Sequence, residues 1–251
     1  MGGDKMIKLI INADDFGYSR AVNYGILDAH KLGILTSATL MTNMPGAEHA
    51  AELAKENSSL GVGVHLVLTC GKPLLTGHKT IVNEKGDFKK ITFYKDDFHV
   101  DLEEVYNEWK AQIERFLSLG LVPTHLDSHH HINSFGNLYE VFLKLAKEYN
   151  LPIRNNIKKQ VYDISKDFKC TNFFAGELNK DMVNIINIEK NFKDYGTVEI
   201  MCHPGYLDNF LLNSSSFTNL RLSELEMLID KKVNEDIKSN ENIKLISYRE
   251  L

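Results

Sequence analysis

The chain has 251 residues, 43% hydrophobic and 25% charged, with a formal net charge of −5. This is the balance of a soluble globular protein long enough to bury a core without staples, and its acidic excess, with no basic run, argues against nucleic-acid binding. Cys70, Cys170 and Cys202 are too few and too scattered for a disulfide framework, and no apolar run approaches a membrane helix, so a cytoplasmic location is expected.

Residues 1–5 read as an appended remnant outside the fold, after which short β-branched runs alternate with helical periodicities. The pattern predicts strands over 8–13, 35–42, 61–68, 124–129, 152–155, 197–203 and 244–248. Helices are predicted over 19–32, 45–56, 101–119, 137–149, 179–191 and 221–237. Ser19 is placed to cap the first helix. Ser223 and Glu226 have capping-box spacing in the last. Strand–helix alternation predicts an α/β fold, a distorted (β/α) barrel of seven strands, with a doubly wound open sheet as the alternative. One domain over 1–251 is expected, with 70–100 as an insertion over one end of the barrel.

In such folds sites gather at the carboxyl ends of the strands. Four predicted strand ends carry ionisable residues: Asn12-Ala-Asp14-Asp15-Phe-Gly17, Gly63-Val-His65-Leu66, His125-Leu-Asp127-Ser-His129-His130-His131, and Glu199-Ile-Met-Cys-His203-Pro-Gly205. Four histidines and an aspartate in seven positions make a divalent-metal set, since neutral imidazole and carboxylate are both common ligands. Along an extended strand His125, Asp127, His129 and His131 share one face, so either His129 or His131 can enter a site beside Asp127. Asp14 and Asp15 face opposite ways unless the strand end bends. The chain lacks a GxSxG elbow, a phosphate loop, a GxGxxG fingerprint, HExxH and PCxxC, which leaves metal-assisted hydrolysis.

With Leu35-Thr-Ser-Ala-Thr39, Gly71-Lys-Pro-Leu74 and Pro123-Thr124 added, these segments resemble the YdjC-like carbohydrate deacetylases, the family of chitooligosaccharide deacetylase. The resemblance spans residues 7 to about 206 and implies a barrel of the glycoside hydrolase/deacetylase type. It implies one divalent metal held by Asp15, His65 and His129, with Asp14 as general base and His203 as acid. Arg154 is then placed to orient the base or a substrate group, and His125, Asp127 and His131 to touch substrate or support the ligands. Family description points to Mg²⁺, while an Asp/His/His set also suits Zn²⁺, Co²⁺ or Mn²⁺. The implied substrate is a small N-acetylated oligosaccharide, such as diacetylchitobiose or its phosphate. Asn133 stands where many members carry another histidine and is assigned no role. No nucleic-acid or membrane partner is expected, and a homodimer is the base-rate expectation. The competing readings are a metal-dependent amidohydrolase acting on a lactam or other small amide, and a non-enzymatic metal- or sugar-binding protein, which would not need Asp14. A two-metal phosphoesterase is weaker, because no second complete ligand set is seen.

Overall fold

The computed structural model describes residues 6–158 and 162–251, so the expectation of an appended remnant at residues 1–5 lies outside it. Strand β1 (Ile7–Phe16) is the centre of the molecule. Ile7, Leu9, Ile10 and Ile11 are all buried, as expected of a strand covered on both faces. The elements that follow are α1 (Arg20–Leu32), β2 (Ser37–Leu40), α2 (Ala47–Glu56), β3 (Gly61–Leu66), α3 (Ile91–Lys95), α4 (Leu102–Ser118), β4 (Leu126–Ser128) and α5 (Leu138–Glu148). Then come β5 (Phe173–Ala175), α6 (Ile185–Phe192), β6 (Thr197–Cys202), α7 (Asn209–Ser214), α8 (Asn219–Ile229), α9 (Lys231–Ser239) and β7 (Ile243–Leu245).

The strands form one parallel sheet in the order β4-β3-β2-β1-β6-β5. β7 pairs with the start of β1, below the stretch that pairs with β2. The sheet curls into a half-barrel, the distorted (β/α) barrel expected from the alternation. Because every pairing is parallel, the ends of β1, β3, β4 and β6 emerge on one side.

Two strands differ from expectation. Residues 152–155 form only a bridge, Ile153 to Leu126, next to a proline that has no N–H to give a ladder. Phe173–Ala175 joins β6 instead and was not predicted, being a three-residue run without alternation. The expected helix over 221–237 divides at Asp230, whose carboxylate caps α9 by accepting the Val233 N–H at 2.9 Å. Ser223 lies inside α8, and the capping box occurs at Ser247 and Glu250. Ser19 does cap α1, accepting the Val22 N–H.

Helix α4 packs Val105, Trp109, Ile113 and Phe116 inward and pins the 70–100 segment. The buried Glu108 carboxylate accepts the N–H groups of Leu74 (2.9 Å) and Leu75 (3.0 Å) and the Gln112 amide (2.9 Å). Glu104 accepts the N–H groups of Lys79 and Thr80, both at 2.8 Å. Glu108→Ala should therefore lower the unfolding free energy by about 2–3 kcal/mol, because it strands several buried donors. It should also speed proteolysis within 71–80; an unchanged denaturation midpoint and digestion pattern would show that other contacts hold the segment.

Candidate active site

Adjacent residues of a strand point to opposite faces, yet Asp14 and Asp15 both serve one site. The pairing of β1 with β2 shifts register between Ala13 and Phe16, and Asp15 takes a left-handed backbone, φ 68°. Aspartate tolerates that region better than most residues, and such a bulge re-aims a side chain.

His65 on β3 lies in register with Asp127 on β4. Its Nδ1 is 2.6 Å from Asp127 Oδ1, and Thr39 of β2 donates its hydroxyl to Asp127 Oδ2 at 3.1 Å. A carboxylate on Nδ1 fixes the proton there and leaves Nε2 as the ligand atom. That Nε2 stands 3.5 Å from Asp15 Oδ1.

Strand alternation ends at Ser128. Residues His129–Ser134 form a 3-10 turn in which His130 (φ 56°) and His131 (φ 53°) are both left-handed. Ser128 holds the turn, donating to Asn133 Oδ1 at 2.7 Å and accepting the Asn133 N–H at 3.0 Å. His129 thus arrives from the turn, with Nδ1 2.9 Å from Asp15 Oδ1.

Asp15, His65 and His129 each bring one ligand atom within 4.8 Å of the others, all buried. Asp15 Oδ1 and His65 Nε2 have no aligned hydrogen-bond partner among the described residues. Buried polar atoms without partners are what a bound ion would satisfy, and a carboxylate–imidazole–imidazole set with open positions fits a divalent metal. Asp14, His65 and Asp127 form a second possible group. It fits less well, because Asp127 holds the opposite nitrogen of His65 and Arg154 already occupies both other acids.

Arg154, fully buried beyond the Ile153 bridge, organises the acids. It donates to both oxygens of Asp14, at 2.9 and 2.6 Å, and through Nε to Glu199 at 2.9 Å. Its Nη2 also lies 2.8 Å from Asp127. Burial pushes the Asp14 pKa up, but Arg154 and His65 outweigh it and hold the carboxyl far below the usual range. Asp15 is also held low, burial being overcome by His129 and Arg221. Burial pushes both ring pKa values down, but Asp127 and Asp14 raise His65 to about 10, and Asp15 raises His129 to about 9.

His203, half-buried against the Phe217 ring, places Nε2 4.0 Å from Asp14 Oδ2, and burial lowers its pKa. Its loop reaches this position because Gly25 of α1 and Gly205 touch: a Cβ on Gly25 would lie 2.4 Å from Gly205 Cα. His131 borders the same cleft, its ring edge-on to Phe174. His125 does not line it. That ring is buried in a 3.7 Å stack on Tyr248, and burial pushes its pKa down to about 3.

Sequence reasoning gave no role to Arg221, which donates to Asp15 Oδ2 at 2.6 Å from the motif-free segment after Gly205. Glu199 was visible at a strand end, but nothing local showed its bonds to Arg154 and to the Tyr248 hydroxyl, at 2.9 and 2.5 Å. The cleft holds about 550 Å³, and Cys70, Lys90, Ile91 and Lys95 of the insertion form one wall.

Fold and site together define a half-barrel of parallel strands with a buried cation-ready cluster at their carboxyl ends. The chain matches the model of the YdjC-like protein family over residues 8–239 and belongs to that family. It is 45% identical to a carbohydrate deacetylase of Clostridium beijerinckii, over 98% of this chain and all of that protein. It is 44% identical to a carbohydrate deacetylase of Halalkalibacterium halodurans, over 92% and 99% of the two chains. A solved structure from Enterococcus faecalis, described as a candidate cellobiose-phosphate cleavage protein, superposes with a TM-score of 0.88 at 35% identity, covering 98% of each chain.

The raised histidines have a consequence for stability. Their native pKa values exceed the unfolded value near 6.5, so their stabilising contribution is full below about pH 6.5 and disappears as pH rises through 9 to 10. Chelator-treated protein should lose melting temperature steadily over that window, and a divalent cation should flatten the loss. A flat profile without metal would show that the two rings are neutral in the metal-free fold.

Proposed function

We propose that the protein is a metal-dependent hydrolase that removes N-acetyl groups from carbohydrates, with chitooligosaccharides such as diacetylchitobiose or its phosphate as substrates. The observation that carries this reading is the convergence of Asp15, His65 and His129 beside an Asp14 gripped by Arg154. Relatives over nearly the whole chain bear the name carbohydrate deacetylase. Lys90 and Lys95 on the cleft wall supply positive charge suited to a phosphorylated sugar. The donor set suits Zn²⁺, Co²⁺ or Mn²⁺ by softness, and Mg²⁺ by family description.

Asp15, His65 and His129 would hold the cation, which when bound would make water a stronger nucleophile and polarise the acetamide carbonyl. Asp14, ionised and fixed in orientation by the Arg154 fork, accepts the proton of the attacking water. His203 is neutral at rest because burial lowers its pKa, and once protonated it is a ready donor. It stands close enough to Asp14 to pass a proton to the departing amine. The products are acetate and a free amino sugar. Asp127 and Thr39 keep His65 in the tautomer that presents Nε2.

The direct test is acetate release from diacetylchitobiose, abolished by chelator and restored by individual metals. Ring opening of a lactam under the same conditions, without acetate release, would replace this reading with a cyclic amidohydrolase. Asp14→Asn should keep its metal and lose turnover by about 10²-fold or more; near-normal activity would remove Asp14 from the role of base. His129→Ala should lose bound metal by elemental analysis, and full occupancy would exclude His129 as a ligand.

A further inference from the structure

A free aspartate can grip a cation with both oxygens, but Asp15 is not free. Arg221 Nη2 lies 2.6 Å from Asp15 Oδ2, on the oxygen turned away from His129. The guanidinium cannot easily leave. It is 2% exposed, its Nε donates to the Phe217 carbonyl at 3.0 Å, and the rings of Tyr18 and Phe217 lie 5.7 and 5.4 Å from it. Its helix is anchored in turn, the Arg221 carbonyl accepting the Gly205 N–H beside the His203 loop. Arg221 Nη1 is buried with no acceptor among the described residues, although the residue borders the cleft. A buried donor lacking an acceptor, next to two buried ligand-type atoms lacking partners, is the pattern left by a cation that carries an oxygen ligand.

We propose that Arg221 is a positioning residue that restricts Asp15 to one-oxygen ligation, keeping the remaining coordination positions for oxygens of water and substrate. The inference rests on the cation site described under the proposed function. Its physical basis is a trade. A positive charge on a ligand carboxylate weakens that ligand's attraction for a cation. In return, catalytic metal sites need open positions, which a two-oxygen aspartate would fill. Nη1 then serves an oxygen held in the cleft.

A role in simple scaffolding and this role predict opposite changes in metal affinity. Metal-stripped parent, Arg221→Met and Arg221→Lys proteins would be titrated with Zn²⁺ and with Mn²⁺ against a fluorescent chelator, with turnover measured in parallel. Arg221→Met should bind the metal about tenfold or more tightly, since a nearby positive charge is gone and both Asp15 oxygens are released. Its turnover should fall by about 10²-fold, the scale of one lost polar donor at a reacting centre. Arg221→Lys keeps the charge and one donor, and should stay near the parent affinity with part of its turnover. A folded Arg221→Met protein that binds metal more weakly would overturn the assignment while leaving the deacetylase reading intact. If Arg221→Met does not fold, weakened metal binding by Arg221→Lys overturns it. A parent that binds neither metal overturns both.

Discussion

The site depends on one buried guanidinium. Arg154 contacts Asp14 from β1, Asp127 from β4 and Glu199 from β6, so three strands meet on a single guanidinium. None of these acids could stay ionised in a dry interior alone, because burying an unpaired carboxylate costs far more than any one packing contact gains. Placed together around Arg154, they drive its own pKa well above the usual range, Asp127 and Asp14 outweighing the effect of burial. The half-barrel gathers these strand ends, and Arg154 makes the gathering electrostatically tolerable.

The charges at the site also bear on the cation it could hold. Around the centre stand the carboxyl groups of Asp14, Asp15, Asp127 and Glu199, facing the guanidiniums of Arg154 and Arg221. In the protein by itself these acids raise the pKa values of His65 and His129, to about 10 and 9, against the opposing effect of burial. A divalent cation at the same place would compete with those protons, because a ligand imidazole must be neutral, so metal binding would be linked to proton release. The division of labour between neighbouring aspartates follows. Asp14, with both oxygens on Arg154, is poorly disposed to bind metal, while Asp15, turned by its left-handed backbone, keeps one oxygen open.

Much of this was legible in the sequence, because strand ends of an alternating α/β chain must converge and four of them carry acids or histidines. The barrel and the strand-end bend that lets both aspartates reach one site followed from pattern, whereas the choice of His129 from the histidine heptad came from the family resemblance. What was not legible depends on long-range geometry. Arg221 sits in a helix without a motif, some 200 residues from Asp15, and no local rule connects them. Alternation placed His125, His129 and His131 on one face, but two successive left-handed residues turn the chain after Ser128, and His125 stacks on Tyr248 instead. Asn133, given no role from sequence, proves to pin that turn through Ser128. Phe173–Ala175 was missed because three residues carry no period, whereas Pro152 weakened the strand that pattern favoured.

The central claim is that one cation is held by Asp15, His65 and His129, while Arg154 reserves Asp14 for proton transfer. Anomalous diffraction from crystals soaked in Zn²⁺ or Mn²⁺ tests it most directly. The account predicts a single peak at bonding distance, about 2.0–2.2 Å, from Asp15 Oδ1, His65 Nε2 and His129 Nδ1, with Asp14 still forked by Arg154. A peak bonded instead to Asp14 and Asp127, with Arg154 displaced, would contradict it.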